Sequence, residues 1–160
     1  MATDKDSKDA PVASGTHLWL VMMKAYRAMA RVAERSIGAA EIGPTDFMIL
    51  EILLHKGPQP VNDIGRRIGL TSGASTTAVD RLATAELVAR ESHPSDRRTR
   101  VVRLTDQGKR IAARTFAVHR AAMDAAGEAL SASERTTLIS LLKKLGQAAE
   151  RSTNEEGKKE

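Results

Sequence analysis

Around a Pro94-Ser95-Asp96 turn signal the chain sets two short β-prone runs, Leu87-Val88-Ala89-Arg90 and Arg100-Val101-Val102-Arg103-Leu104, while its other apolar residues recur at helical intervals. One hairpin among helices is the pattern this permits. The 160 residues are 41% hydrophobic but only 2% aromatic, so Leu, Ile, Val, Met and Ala must fill the interior, which favours packed helices. The length suits one ordinary domain or a small unit carrying extra helices.

Residues 16–37 read as a long helix, with Leu18, Val21, Met22, Ala25, Met29 and Val32 on one stripe and Trp19, Met23, Tyr26 and Ala30 on a second. That apolar surface is too wide for a helix lying on one small core. Gly38 is placed to end it in the left-handed conformation. Pro44 and Thr45 open the next helix, with Thr45 as its expected N-cap, Asp46 in its first turn, and Phe47, Ile49, Leu50, Ile52, Leu53 and Leu54 burying it nearly all round. Gly57, Pro58 and Pro60 stop it.

A short helix over 61–68 is followed by a turn at Gly69-Leu70, and Thr71 caps a further helix whose Ala74, Ala78, Val79 and Leu82 point inward. Beyond the hairpin, Thr105 caps a helix expected to continue to about Leu130. Ser131 with Glu134 then forms an S-x-x-E capping box for a last helix striped with Leu138, Leu141, Leu142 and Leu145. The expected fold class is mainly α: a winged helix-turn-helix over 43–104 with a two-stranded wing, a dimerisation helix over 16–40, C-terminal dimerisation helices over 105–150, and tails over 1–15 and 151–160. Identical faces of a second copy are the most economical cover for the terminal helices, which points to a two-fold homodimer.

The outer face of the Thr71-capped helix is short-sided where a solvent face would carry Lys and Glu: Gly73, Thr76, Thr77 and Asp80, with Ser72 and Arg81 at the margins. Such a face can come close to another surface. Two helices joined by a tight turn and followed by a basic hairpin form a winged helix-turn-helix, and a major groove about 12 Å wide admits one helix. The partner this implies is double-stranded DNA. The candidate contacts are Thr76, Thr77, Ser72, Gly73 and Ser75, the last lying nearest the core side, joined by Asn62, Arg66 and Arg81. Arg97 and Arg98 at the wing tip suit the negative potential of the adjacent minor groove, with Asp96 as turn residue and salt-bridge partner of Arg98. The net charge of +5 agrees with a polyanionic partner.

Other classes find little support. With no cysteine, disulfide frameworks and thiolate zinc sites are excluded, and His17, His55, His93 and His119 are scattered, so neither metal nor cofactor is expected. Glu51 and His55, at i,i+4, are two ligands short of a site. Without a Gly-rich phosphate loop, a nucleophile elbow or a carboxylate pair, the chain reads as not an enzyme. No secretory leader or bilayer-length apolar run is present, so the expectation is a cytoplasmic protein without a membrane partner. The competing reading is a winged helix used as a protein-interaction module, its basic wing meeting an acidic protein.

The run VDRLATAELVARESHPSDRRTRVVRLTDQG resembles the signature of the MarR family of bacterial transcriptional regulators: its D-R-L, its D-x-R wing, and the L-T-x-x-G that opens the next helix. The resemblance extends over 18–149. It departs at Ala85-Glu86-Leu87, where the family has a Gly before the strand. It implies recognition helices in successive major grooves of a palindromic operator, centred about 34 Å apart. It also implies repression relieved by a small-molecule effector in a cleft whose candidates here are His17, Trp19, Tyr26, Phe47, His55 and Phe116. The segment GPTDFMILEILLHKGPQPVNDIG is similar to members that respond to quinones and related phenols, and the absence of cysteine excludes the thiol-oxidation route of some relatives.

Overall fold

The computed structural model describes residues 14–38, 42–93 and 96–156, with the side chains of 93–99 and 153–156 outside the description. The order is α1 (Gly15–Gly38), α2 (Pro44–Lys56), β1 (Gln59–Pro60), α3 (Val61–Ile68), α4 (Ser72–Thr84), β2 (Val88–His93), β3 (Asp96–Leu104), α5 (Asp106–Ala126) and α6 (Ala132–Glu156). The chain divides into two compact units, Met1–His119 and Arg120–Glu160.

In the first unit, Ile49, Leu50 and Leu53 of α2, Ile64 of α3, and Ala78, Val79 and Leu82 of α4 close on Val88, Val102 and Ala112 as one apolar core. Each such aliphatic burial is worth about 1.5 to 3 kcal/mol, which is why α2 can be apolar on nearly every face. Pro44 occupies the first helical position and the N-cap is Gly43, not Thr45. A proline there has its φ preset and lacks an N–H that would go unpaired anyway. Ala74 is exposed, not inward: it stands in the first turn of α4, one turn before Ala78, where the helix has not yet reached the core. Gly38 ends α1 without a positive φ; the described glycines that have one are Gly57 and Gly69.

The wing hairpin gains a third strand. β3 lies between β1 and β2, antiparallel to both, with Gln59 opposite Val102, Pro60 opposite Val101, and Val88 opposite Leu104. Pro60, one of the prolines that stop α2, thus also lies in a strand, tolerated because β1 is an edge where one N–H can be missing. At the other side of the hairpin, α5 starts hard against the end of α4. Thr105 donates its hydroxyl to the Glu86 carbonyl at 2.6 Å, its N–H bonds Leu87 O at 3.1 Å, and its Oγ accepts from the Gly108 N–H at 2.9 Å. A Cβ at Gly108 would overlap the Leu87 carbonyl, so this approach requires glycine.

In the second unit, the helix begun as α5 stops at Ala126, earlier than its periodicity suggests. The Gly127 N–H bonds the Met123 and Asp124 carbonyls and the Leu130 N–H bonds Gly127 O, a turn that delivers Ser131 as cap of α6. The capping box forms as the spacing implies: Ser131 N–H donates to Glu134 Oε2 at 2.8 Å and Glu134 N–H to Ser131 Oγ at 3.3 Å. Leu138, Ile139, Leu141 and Leu142 of α6 stay exposed.

Candidate nucleic-acid interface

The two helices of the motif are locked by small residues at their crossing. Gly69, at φ +71°, turns the chain after α3, the Leu70 N–H returns to Gly65 O at 2.9 Å, and Thr71 Oγ1 accepts from the Ala74 N–H at 3.3 Å as the N-cap of α4. Ser72, Gly73, Thr76, Thr77 and Asp80 are all exposed on one side of α4. Thr76 donates its hydroxyl to Ser72 O at 3.0 Å and Thr77 to Gly73 O at 3.1 Å, which keeps both short side chains against their own helix. Acceptor lone pairs and methyl groups are what they present outward.

Ser75 is a correction. It is fully buried, its hydroxyl donating to Thr71 O at 2.8 Å, because it shares the inner row with Val79 and Leu82. It has no route to a nucleic acid. Around the exposed face, the Ser72 hydroxyl lies 3.4 Å from Asn62 Oδ1 across the turn, and exposed Arg66 pairs with Asp63 one turn before it. Asp80 is neutralised by Arg90 of β2 at 2.6 Å, and Arg103 pairs with Glu91 across the sheet at 2.7 Å. Asp96, Arg97 and Arg98 contribute backbone to the start of β3, but their side chains, and so the expected wing ion pair, lie outside the described residues.

Arg81 is not a loose cation at the margin. Its Nε and Nη2 grip the two oxygens of Asp46 at 2.9 and 2.5 Å, linking the last turn of α4 to the first turn of α2. These hydrogen bonds, then the carboxylate's charge, raise the guanidinium above its ordinary pKa.

Of the effector candidates, the first unit gathers three along α2 and α5. Phe47 is buried with its ring 4.9 Å from that of His119, and His55 meets Phe116 edge to face at 4.5 Å. The Ser36 hydroxyl lies 2.9 Å from His119 Nδ1. Thr115, one turn before His119, is buried with no hydrogen-bond partner for its hydroxyl. A cavity of about 450 Å³ opens beside His55, with Met48, Ile52 and Ile68 as its apolar wall and Lys56 and Arg67 at its rim. His17, Trp19 and Tyr26 remain exposed on α1. Among the described residues no three His, Asp or Glu side chains converge as a metal site, and no helix is long and apolar enough to cross a membrane.

The family model described as the MarR family matches residues 42–99, the stretch from the approach to α2 into the wing. Over 129 residues the chain is 36% identical to the HTH-type transcriptional regulator MhqR of Bacillus subtilis, covering 81% of this chain and 89% of that protein. The chain belongs to the MarR family. Among solved structures, a mutant MarR from E. coli complexed with operator DNA superposes with a TM-score of 0.70 at 23% identity, covering 80% of this chain and 92% of that one. Bordetella bronchiseptica BpsR superposes with a TM-score of 0.71 at 20% identity, covering 86% and 98%. These two likenesses concern the fold.

As a MarR-family member the protein is a DNA-binding transcriptional regulator, with α3 and α4 as its helix-turn-helix and β2–β3 as its wing. Two side chains that the fold brings against the candidate residues escaped sequence reasoning. Asp46 was legible as a first-turn acid of α2, but not as the partner of a residue 35 positions away. His119 stands three residues after Phe116, a helical spacing that puts both on neighbouring faces of α5 and could have joined it to the aromatic candidates.

Proposed function

We propose that this MarR-family protein is a cytoplasmic homodimeric repressor that binds a palindromic double-stranded operator and releases it when a small aromatic effector, of phenolic or quinone type, occupies the region of Phe47, His55 and Phe116. The observation that carries the DNA reading is the exposed, short-sided face of α4. Thr76 and Thr77 approach base edges there, Ser72, Gly73, Asn62 and Arg66 meet the phosphate backbone, and Arg97 and Arg98 enter the minor groove.

The dimer is supported by apolar side chains left exposed on both terminal helices, among them Trp19 and Tyr26 on α1 and Leu138, Leu141 and Leu142 on α6. The effector is supported by the Phe47–His119 and His55–Phe116 ring contacts, by the cavity that His55 lines, and by BpsR, whose DNA binding is regulated by 6-hydroxynicotinic acid. His17, Trp19 and Tyr26 enter this reading as contributions from α1.

The test is a salt titration of binding to two duplexes: one enriched by the protein from a randomised pool, and the pool itself. Affinity for the enriched duplex should fall with a log–log slope of about −0.9 per neutralised phosphate. No enrichment and a shallow slope would point instead to the protein-interaction module.

A further inference from the structure

The row Gly73, Thr77, Arg81 follows four-residue steps along α4, so Arg81 continues the exposed row that contains Thr77. Its side chain is 55% exposed while that of Asp46 is only 12% exposed. Asp46 sits in the first turn of α2, where the helix dipole favours an acid, and Arg81 in the last turn of α4, where it favours a base. The fork uses Nε and Nη2. In a planar guanidinium that leaves Nη1 on the opposite edge, facing away from the carboxylate.

We propose that Asp46 is a positioning residue for operator binding: its carboxylate holds Arg81 so that the outer edge of the guanidinium meets a DNA phosphate at the rim of the groove that α4 enters. An unheld arginine surrenders side-chain freedom when it docks, whereas one already clamped has lost that freedom on folding. The clamp also fixes the end of α4 against α2, so the row from Gly73 to Arg81 is presented as one rigid unit. Carboxylates beside a DNA-binding face are otherwise unfavourable, because each repels the backbone it faces.

That repulsion makes the test decisive in sign. Removing a negative charge should, by electrostatics alone, tighten DNA binding; removing a positioning group should weaken it. The inference rests on the DNA reading above, and the wild-type protein checks that reading separately, since failure to enrich any duplex would remove both. Given an enriched duplex, Asp46→Asn should bind it about tenfold more weakly. Its affinity for the randomised pool should fall by a similar factor, because a phosphate contact carries no sequence information, and an unchanged thermal unfolding curve separates this from general loss of fold. In an Arg81→Gln background the same substitution should have no further effect. Arg81→Lys retains the charge without the fork and, at an exposed side chain, keeps the question open should Asp46→Asn melt below the assay temperature; it should bind the enriched duplex as weakly as Arg81→Gln. Undiminished enriched-duplex binding by Asp46→Asn, an equal loss in the Arg81→Gln background, or wild-type binding by Arg81→Lys would each overturn the assignment.

Discussion

Gly65 of α3 lies directly against the Ser75 hydroxyl of α4: a Cβ at position 65 would overlap Ser75 Oγ, which is itself anchored 2.8 Å from the Thr71 carbonyl. Helix propensity alone would make Gly65→Ala stabilising by about 1 kcal/mol. At this crossing it should instead destabilise by about 1 to 3 kcal/mol, because Ser75 cannot move without losing its bond or pushing into the core. Thermal unfolding decides between the two signs, and a raised melting temperature would show that the crossing can give.

Glu86 is the described non-glycine residue with positive φ, at +57°, and it falls where the family pattern has glycine before the strand. Its side chain is exposed, and its carbonyl is what receives the Thr105 hydroxyl. Glu86→Gly therefore keeps the bond and removes the left-handed penalty, and should stabilise by about 1 kcal/mol. Denaturant unfolding with an unchanged or lower midpoint would contradict this.

Thr76 presents a lone pair and a methyl group once its hydroxyl proton is donated to Ser72 O. It is thus suited to accept from the amino group of adenine or cytosine, or to pack on the thymine methyl. Thr76→Ala should cost about 1 to 3 kcal/mol on an enriched duplex and little on a randomised pool. An equal loss on both would assign the residue to phosphate.

Leu142 is 44% exposed on α6 beside Leu138 and Leu141. Leu142→Glu should dissociate the proposed dimer or unfold it, since a carboxylate in an apolar seam has no partner. Sedimentation that finds the same dimer for the variant would remove this face from the interface.

Glu134 is held below the usual carboxylate range by hydrogen bonds from the Ser131 hydroxyl and then the Ser131 N–H. A lowered folded-state pKa contributes stability above the unfolded value, near about 4.3, and that contribution is lost as pH falls through the folded value. The stability gap between wild type and Glu134→Ala should therefore be present at neutral pH and narrow in acid. A gap that stays constant from about pH 7 to about pH 3 would mean the charge is not what the cap uses.

The elements were readable in the chain to the extent that their signals are local. A cap and the N–H it satisfies lie within one helical turn, and Thr71, Thr105 and Ser131 all serve where their spacing implied. The short-sided face of α4 was equally legible, because helical periodicity assigns faces without reference to anything else. Ser75 shows where that reading stops: its row with Val79 and Leu82 sets it nearest the core side, but its complete burial depends on the close approach of Gly65 from α3.

Periodicity, caps and turn residues thus set the run of helices, the hairpin and the polar face of α4, since each acts through neighbours a few bonds away. Pairings between distant segments were settled by packing alone: Gln59 beside Val102, Gly108 against Leu87, His119 on Phe47, and the grip of Asp46 on Arg81. Residues so far apart in the chain have no reason to meet until the core has closed and placed their helices and strands side by side.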